Sequence, residues 1–110
     1  MVQVEKFLYN DKALSHFVQQ IRNLLQSHVK NIILFGSRAR KENMDDSDYD
    51  CLIIVDNVTG DINNIIDEIT GETLYRYDRV FSAIVVSEER YEKEIYNPLF
   101  INIYKEGIKI

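Results

Sequence analysis

The chain has one cysteine, one proline and four glycines in its 110 residues. A lone cysteine makes no internal disulfide, which fits a reducing compartment, and a cytoplasmic location is the expectation. Linkers, internal repeats and low-complexity tracts are missing too, so a single domain over residues 1–110 is expected. No apolar run approaches the roughly 20 residues of a membrane helix, so no membrane association is expected. The opening MVQVEKFLYNDK lacks the apolar core of a signal peptide. A basic excess is also missing: 13 Lys and Arg stand against 18 Asp and Glu, a formal charge of -5. Such a chain has no electrostatic footprint for polyanions, and direct nucleic-acid binding is not expected. A small phosphate ligand, held through a metal or a local basic cluster, stays open.

What is present is an ordinary globular pattern, with 45% hydrophobic residues. Residues 2–8 read as a short extended segment. From Asp11 to His28, Leu14, Phe17, Val18, Ile21, Leu24 and Leu25 fall at helical spacing, with Asn10 or Asp11 as the cap. Residues 31–35 are an apolar run ending at Gly36, and residues 49–55 are a second; both read as buried strands. Ile62, Ile65, Ile66 and Ile69 predict a helix from about Asp61 past Gly71. Residues 79–87 are rich in β-branched residues and predict a third strand. Ser87 opens a short helix over about 88–96, Pro98 starts another running to about Glu106, and Gly107 stops it. The order predicts an α/β (α+β) fold, a mixed sheet of three or more strands with helices packed on it. The connection between the first two strands allows either a long hairpin or a short crossover.

Residues 35–50 carry the chemistry. Gly36 ends an apolar strand, where a bare backbone allows a turn and close approach of a ligand. Ser37 adds a hydroxyl and an amide at the start of a short helix, a turn suited to phosphate. Arg38, Arg40 and Lys41 are nearby cations. The spacing is not that of a P-loop. Asp48 and Asp50 open the next strand, and alternate strand residues share a face. Two adjacent carboxylates repel unless a cation neutralises them. A hard divalent ion such as magnesium takes two carboxylates together with phosphate oxygens.

Gly36-Ser37, ten intervening residues, then Asp48-Tyr49-Asp50 resembles the signature of the minimal nucleotidyltransferases, stand-alone domains of the DNA polymerase beta-like superfamily. Phe-Gly-Ser-Arg-Ala-Arg followed by Ser-Asp-Tyr-Asp is typical of that group, and the ending Glu-Gly-Ile-Lys-Ile is similar too. The resemblance implies a nucleotidyltransferase fold. It implies that Gly36 and Ser37, with Arg38 and Arg40 beside them, bind the nucleotide, and that Asp48 and Asp50 are the catalytic, magnesium-binding pair. The implied reaction moves a nucleoside monophosphate from a nucleoside triphosphate, ATP by expectation, to an acceptor hydroxyl. Many such domains act as antitoxins beside a small helical HEPN-family protein, which they bind or to which they add AMP at a tyrosine. A chain this short has little room for an acceptor-binding domain of its own, which points the same way. Two departures stand out. Lys41 occupies a position that is often glycine. The later strand, residues 80–86, has no acid where active members usually carry a third carboxylate; Ser82 stands near that place, and Asp78 is the nearest acid upstream. A catalytically impaired module that neutralises its partner by contact is therefore the alternative.

The remaining polar residues read as structural. Asp45 and Asp46 are expected to be solvated loop residues, Cys51 a small core residue, and His16 and His28 non-ligands. Tyr75, Tyr77, Tyr91, Tyr96 and Tyr104 are expected mostly in the core or half-buried, some of them available to a partner. Glu88, Glu89, Glu92 and Glu94 with Arg90 and Lys93 read as a solvated helix face.

Overall fold

The computed structural model describes residues 2–3, 10–42 and 47–110. Five strands form one sheet: β1 (Val2–Gln3), β2 (Val29–Phe35), β3 (Tyr49–Val55), β4 (Phe81–Ser87) and β5 (Ile108–Lys109). Their order across the sheet is β1-β5-β2-β3-β4. β2 runs antiparallel to β3 and β5, β3 runs parallel to β4, and β1 runs parallel to β5. The β2–β3 connection is thus the long hairpin. Asp45 and Asp46, on that connection, lie outside the described residues.

Helices cover both faces of the sheet. On one face lie α1 (Lys12–Leu25) and α3 (Gly60–Tyr77). There Leu14, Phe17 and Ile21 of α1 and Ile62, Ile66 and Ile69 of α3 bury against Ile32, Leu34, Cys51, Ile53 and Val55. On the other, Phe100 and Ile103 of α5 (Pro98–Glu106) bury against Ile33, Leu52, Ile54 and Val86, with Tyr91 of α4 (Glu88–Lys93) packed beside them. Burial on both faces is why the strands read as unbroken apolar runs rather than alternating ones. Each fully buried Leu, Ile or Phe contributes about 1.5–3 kcal/mol of apolar transfer. Between β2 and β3 sits a single helical turn, α2 (Gly36–Ala39).

The helix starts follow capping chemistry. Asp11 accepts from the Leu14 amide, Thr59 from Ile62, Ser87 from Arg90 and Asn97 from Leu99, each satisfying a donor that the first turn leaves open. The ends differ from expectation. α1 stops at Leu25, because Gln26 turns left-handed (φ 50) into a 3-10 turn over Gln26–His28. Leu24, expected on the buried stripe, is 55% exposed. The helix expected over 88–96 stops at Lys93. Gly107 ends α5 with φ -68, so left-handed geometry is not its reason. A β carbon there would meet the Ile103 carbonyl at 2.4 Å and the Ile33 side chain at 2.5 Å, so only a bare backbone fits the corner into β5.

Cys51 is fully buried, as expected. His16 pairs with Glu72 between α1 and α3, and His28 pairs with Asp56. The α4 charges form solvated pairs, Lys93 with Glu89 and Arg90 with Glu94. The tyrosine expectation needs correcting: Tyr75, Tyr96 and Tyr104 are exposed. Tyr75 is on α3 and Tyr104 on α5, while Tyr96 lies in the turn between α4 and α5.

Candidate active site at the β2–β3 edge

The antiparallel register sets Phe35 opposite Asp50, so the chain leaves β2 directly beside the start of β3. Gly36 takes φ +75, and a β carbon on it would lie 2.4 Å from Oδ2 of Asp50. Glycine is therefore required twice here, by the sign of φ and by the closeness of the carboxylate. The turn is closed by the Arg40 amide donating to the Gly36 carbonyl (3.2 Å) and the Glu42 amide donating to Ser37 (2.9 Å). Lys41, where the resembling family often has glycine, sits at φ 60. A non-glycine residue adopts that left-handed geometry at a cost of roughly 1–2 kcal/mol.

Asp48 is exposed and Asp50 half-buried. They flank Tyr49, which points into the α1/α3 face, so alternation turns both carboxylates to the α4/α5 face. Burial and the negative charge of Asp48 raise Asp50 above its usual carboxylate range, while Arg40 draws it back. Gly36, Ser37, Asp48 and Asp50 are thus brought together at one sheet edge. An Asp50 carboxylate raised by burial and by the charge of Asp48 suits a divalent cation, which removes the repulsion. Among the described residues no group of three or more His, Cys, Asp or Glu side chains is placed to hold a metal. Asp48 and Asp50 are the two carboxylates at this edge that could hold such an ion.

The two arginines part company. Arg40 is exposed and held by Glu42 at 3.1 Å and by Glu106 of α5 at 3.0 Å. Its charge is felt at Asp50. Arg38 instead turns to the opposite face of β3. Its Nε donates to the Ser47 carbonyl at 2.8 Å, and its guanidinium lies 3.8 Å from the centre of the Tyr49 ring. It thereby fastens the segment entering Asp48 from behind.

Tyr49 continues this back wall. Its ring stacks on Phe81 at 4.3 Å, and Phe81 stacks on Phe17 at 4.2 Å. Its hydroxyl donates to Asp11, the residue that caps α1. Burial, with that hydrogen bond second, pushes the Tyr49 phenol up to about 12. Sequence reasoning missed Tyr49 and Glu106 as parts of the site. The alternation that pairs Asp48 with Asp50 already sends Tyr49 inward; nothing local announces Glu106.

On β4 the residue in register with Asp50 is Ser82, exposed and on the same face. Asp78 is the left-handed C-cap of α3 (φ 55), exposed and ahead of the strand. The seat beside Asp50 on β4 therefore holds a hydroxyl.

Residues 19–108 match the family described as Polymerase beta, Nucleotidyltransferase. Two relatives come from Methanocaldococcus jannaschii. "Putative protein adenylyltransferase MJ0604" is 38% identical over 97 residues, 88% of this chain and 93% of that protein. "Putative protein adenylyltransferase MJ1305" is 34% identical over 109 residues, 96% of this chain and 72% of that protein. Among solved structures, a toxin-antitoxin with AMP-PNP aligns with TM-score 0.58 at 14% identity, covering 84% of this chain and 68% of that one. A mutant of the toxin-antitoxin MntA-HpeT aligns with TM-score 0.60 at 12% identity over the same shares; at these identities the likeness is one of fold. The match over most of the chain, the two relatives and a Gly-Ser turn set against paired carboxylates give one conclusion: the chain belongs to the polymerase beta nucleotidyltransferase family.

Proposed function

We propose that this protein is a magnesium-dependent nucleotidyltransferase. It moves AMP from ATP to an acceptor hydroxyl on a small helical HEPN-family partner, and so acts as that partner's antitoxin. The observation that carries the reading is the apposition of Gly36 to Asp50, with Asp48 on the same face. A bare backbone beside two carboxylates suits a triphosphate held through a divalent ion. Asp48 and Asp50 would hold the magnesium, which supplies charge neutralisation at the phosphates. Gly36 and Ser37 would seat the triphosphate, with Arg40 beside it. The acceptor oxygen bonds to the α-phosphorus, the bond to the bridging oxygen of pyrophosphate breaks, and the hydroxyl proton leaves to solvent. Arg38 keeps the entry to Asp48 in place rather than facing the phosphates.

The partner reading is supported by the names of the structural neighbours and by one surface feature. Between α4 and α5, Tyr91, Ile95, Phe100, Ile101 and Tyr104 line an open groove of about 410 Å³. An apolar groove of this kind on a small protein commonly marks contact with another molecule. The test is transfer of label from ATP to a co-expressed small helical partner in the presence of magnesium. Label on the partner with wild type and none with Asp48→Ala is expected; no transfer from any nucleotide overturns the enzyme reading.

Ser82 favours a second reading, a module that neutralises its partner by contact without chemistry. Neutralisation that survives Asp48→Ala and Asp50→Ala in folded protein favours this module; its loss in those variants favours the enzyme.

A further inference from the structure

Among the described residues, β4 has a neighbouring strand on one side only. Val80 and Ser82 are exposed, and Ala83, Ile84 and Val85 are half-buried. The strand is seven residues long, Phe-Ser-Ala-Ile-Val-Val-Ser. Natural edge strands are commonly guarded against further pairing by a charge, a proline, a bulge or shortness. β4 carries no charge and no proline, and its register with β3 runs from Phe81 to Ser87 without a shift. A long, neutral, regular edge is a template for another strand.

The backbone shows which groups face outward. The Tyr49 amide donates to the Val80 carbonyl at 2.9 Å. Alternation then turns the backbone groups of Ser82, Ile84 and Val86 to β3, and those of Phe81, Ala83 and Val85 outward. Side chains alternate as well. Ile84 and Val86 pack on the α4/α5 face, and Phe81, Ala83 and Val85 on the α1/α3 face. A second β4 must match outward groups to outward groups and continue each face with the same face. Full antiparallel overlap of Phe81–Ser87 with itself does both. It sets Phe81 opposite Ser87, Ala83 opposite Val85 and Ile84 opposite Ile84. Ala83 and Val85 then exchange backbone hydrogen bonds, and the two Ile84 residues form the close, unbonded kind of pair, with Cα atoms about 4.5 Å apart.

The ends of this overlap are complementary in charge. Arg79 stands just before β4, and Glu88 and Glu89 open α4 just after it. Antiparallel overlap brings Arg79 of each copy to the Glu88–Glu89 turn of the other. A parallel overlap would instead set like charges side by side, which is unfavourable.

We propose that the protein pairs with a second copy of itself, edge to edge through β4 and antiparallel about Ile84, so that one sheet continues across both copies. The pairing places the start of the second copy's α4 beside Phe81 and Ser82. Each copy thus borders the edge where the other presents Asp48 and Asp50.

The experiment is sedimentation equilibrium of the full chain without nucleotide, metal or any other protein, joined to disulfide trapping. A two-copy mass is expected. Ala83→Pro removes an outward amide and leaves the bonds to β3 in place, so a folded single copy is expected, with folding read by circular dichroism. Arg79→Glu is expected to raise the dissociation constant of the pair by about tenfold, the scale of two exposed charge pairs. Ile84→Cys is expected to crosslink two copies under mild oxidation, because an unbonded antiparallel pair holds its β carbons near disulfide reach. Val80→Cys, at an exposed position far from its counterpart in this register, is expected to stay uncrosslinked. Cys51 is fully buried and does not compete. A single-copy mass up to the solubility limit overturns the proposal. So does a two-copy mass without a crosslink at Ile84→Cys, or with Val80→Cys crosslinking as fast. Trapping decides the matter even where Ala83→Pro does not fold. Because nothing but the chain itself is present, its failure and a failed transfer assay are separate results.

Discussion

Gly36 and Asp50 meet so closely across the β2–β3 pair that the space for one methyl group is already taken by a carboxylate oxygen. Gly36→Ala therefore meets two penalties, a left-handed φ and a steric clash. The expected loss is about 1–3 kcal/mol of stability, the scale of a strained non-glycine backbone. Urea denaturation measures it. Displacement of Asp50 is expected to weaken magnesium binding as well, which a magnesium titration of the folded variant reads separately.

Tyr49 gives a signature at alkaline pH. Its phenol is raised to about 12 in the fold, from the ordinary 10.0, by burial first and then by the bond to Asp11. Over that interval the native chain keeps a proton that the unfolded chain has lost. The stabilisation is complete below the unfolded value and disappears as pH climbs from 10 to 12. Tyrosinate absorbance is expected to show at least one late-titrating group among the seven tyrosines. Tyr49→Phe is expected to remove a late step and flatten the stability loss across this window.

The Arg40–Glu106 pair is exposed on both sides, so its removal is expected to cost little, about 0–1 kcal/mol. Glu106→Gln leaves Arg40 with Glu42 and more attraction for a triphosphate. An unchanged melting temperature with a lower KM for ATP is the expected split. A higher KM would place Arg40 outside the phosphate site.

Ser82→Asp fills the β4 seat beside Asp50 with a third carboxylate. Without metal, added repulsion is expected to raise Asp50 further and to lower stability near neutral pH. With manganese as a probe, binding is expected to tighten by about 1–2 kcal/mol, the Coulomb scale of one more charge at contact range near a surface. Electron paramagnetic titration of free manganese reads this directly. Equal manganese affinity in wild type and variant would place the metal away from Asp50.

The legible parts of the fold are those where one physical signal dominates. β3 could be bounded correctly because burial on both faces makes residues 49–55 apolar at every position but Asp50. α1 showed its stripe, apart from Leu24, and narrowed its cap to Asn10 or Asp11, of which Asp11 is the one. β5 could not be found, because two residues are too short to display a period and owe their strand geometry to β2 and β1 on either side. In the site, spacing and alternation were enough to bring Gly36, Ser37, Asp48 and Asp50 to one edge. The rotation of the single turn after Gly36 decides that Arg38 faces Tyr49 while Arg40 faces Glu106, and no residue type encodes that rotation. Glu106 lies 66 residues from Arg40 in the chain, so their meeting is a product of tertiary packing alone.

The stack from Arg38 through Tyr49 and Phe81 to Phe17 joins the back of the site to a side chain with no solvent exposure. Binding surfaces are commonly drawn from the least stable parts of a protein, which open locally. Here the strand that presents the paired carboxylates has no separate route to open: freeing Tyr49 means disturbing the centre of the larger core. Its amides should exchange with solvent only when the whole domain unfolds, so the carboxylate pair keeps its spacing up to the global melting transition.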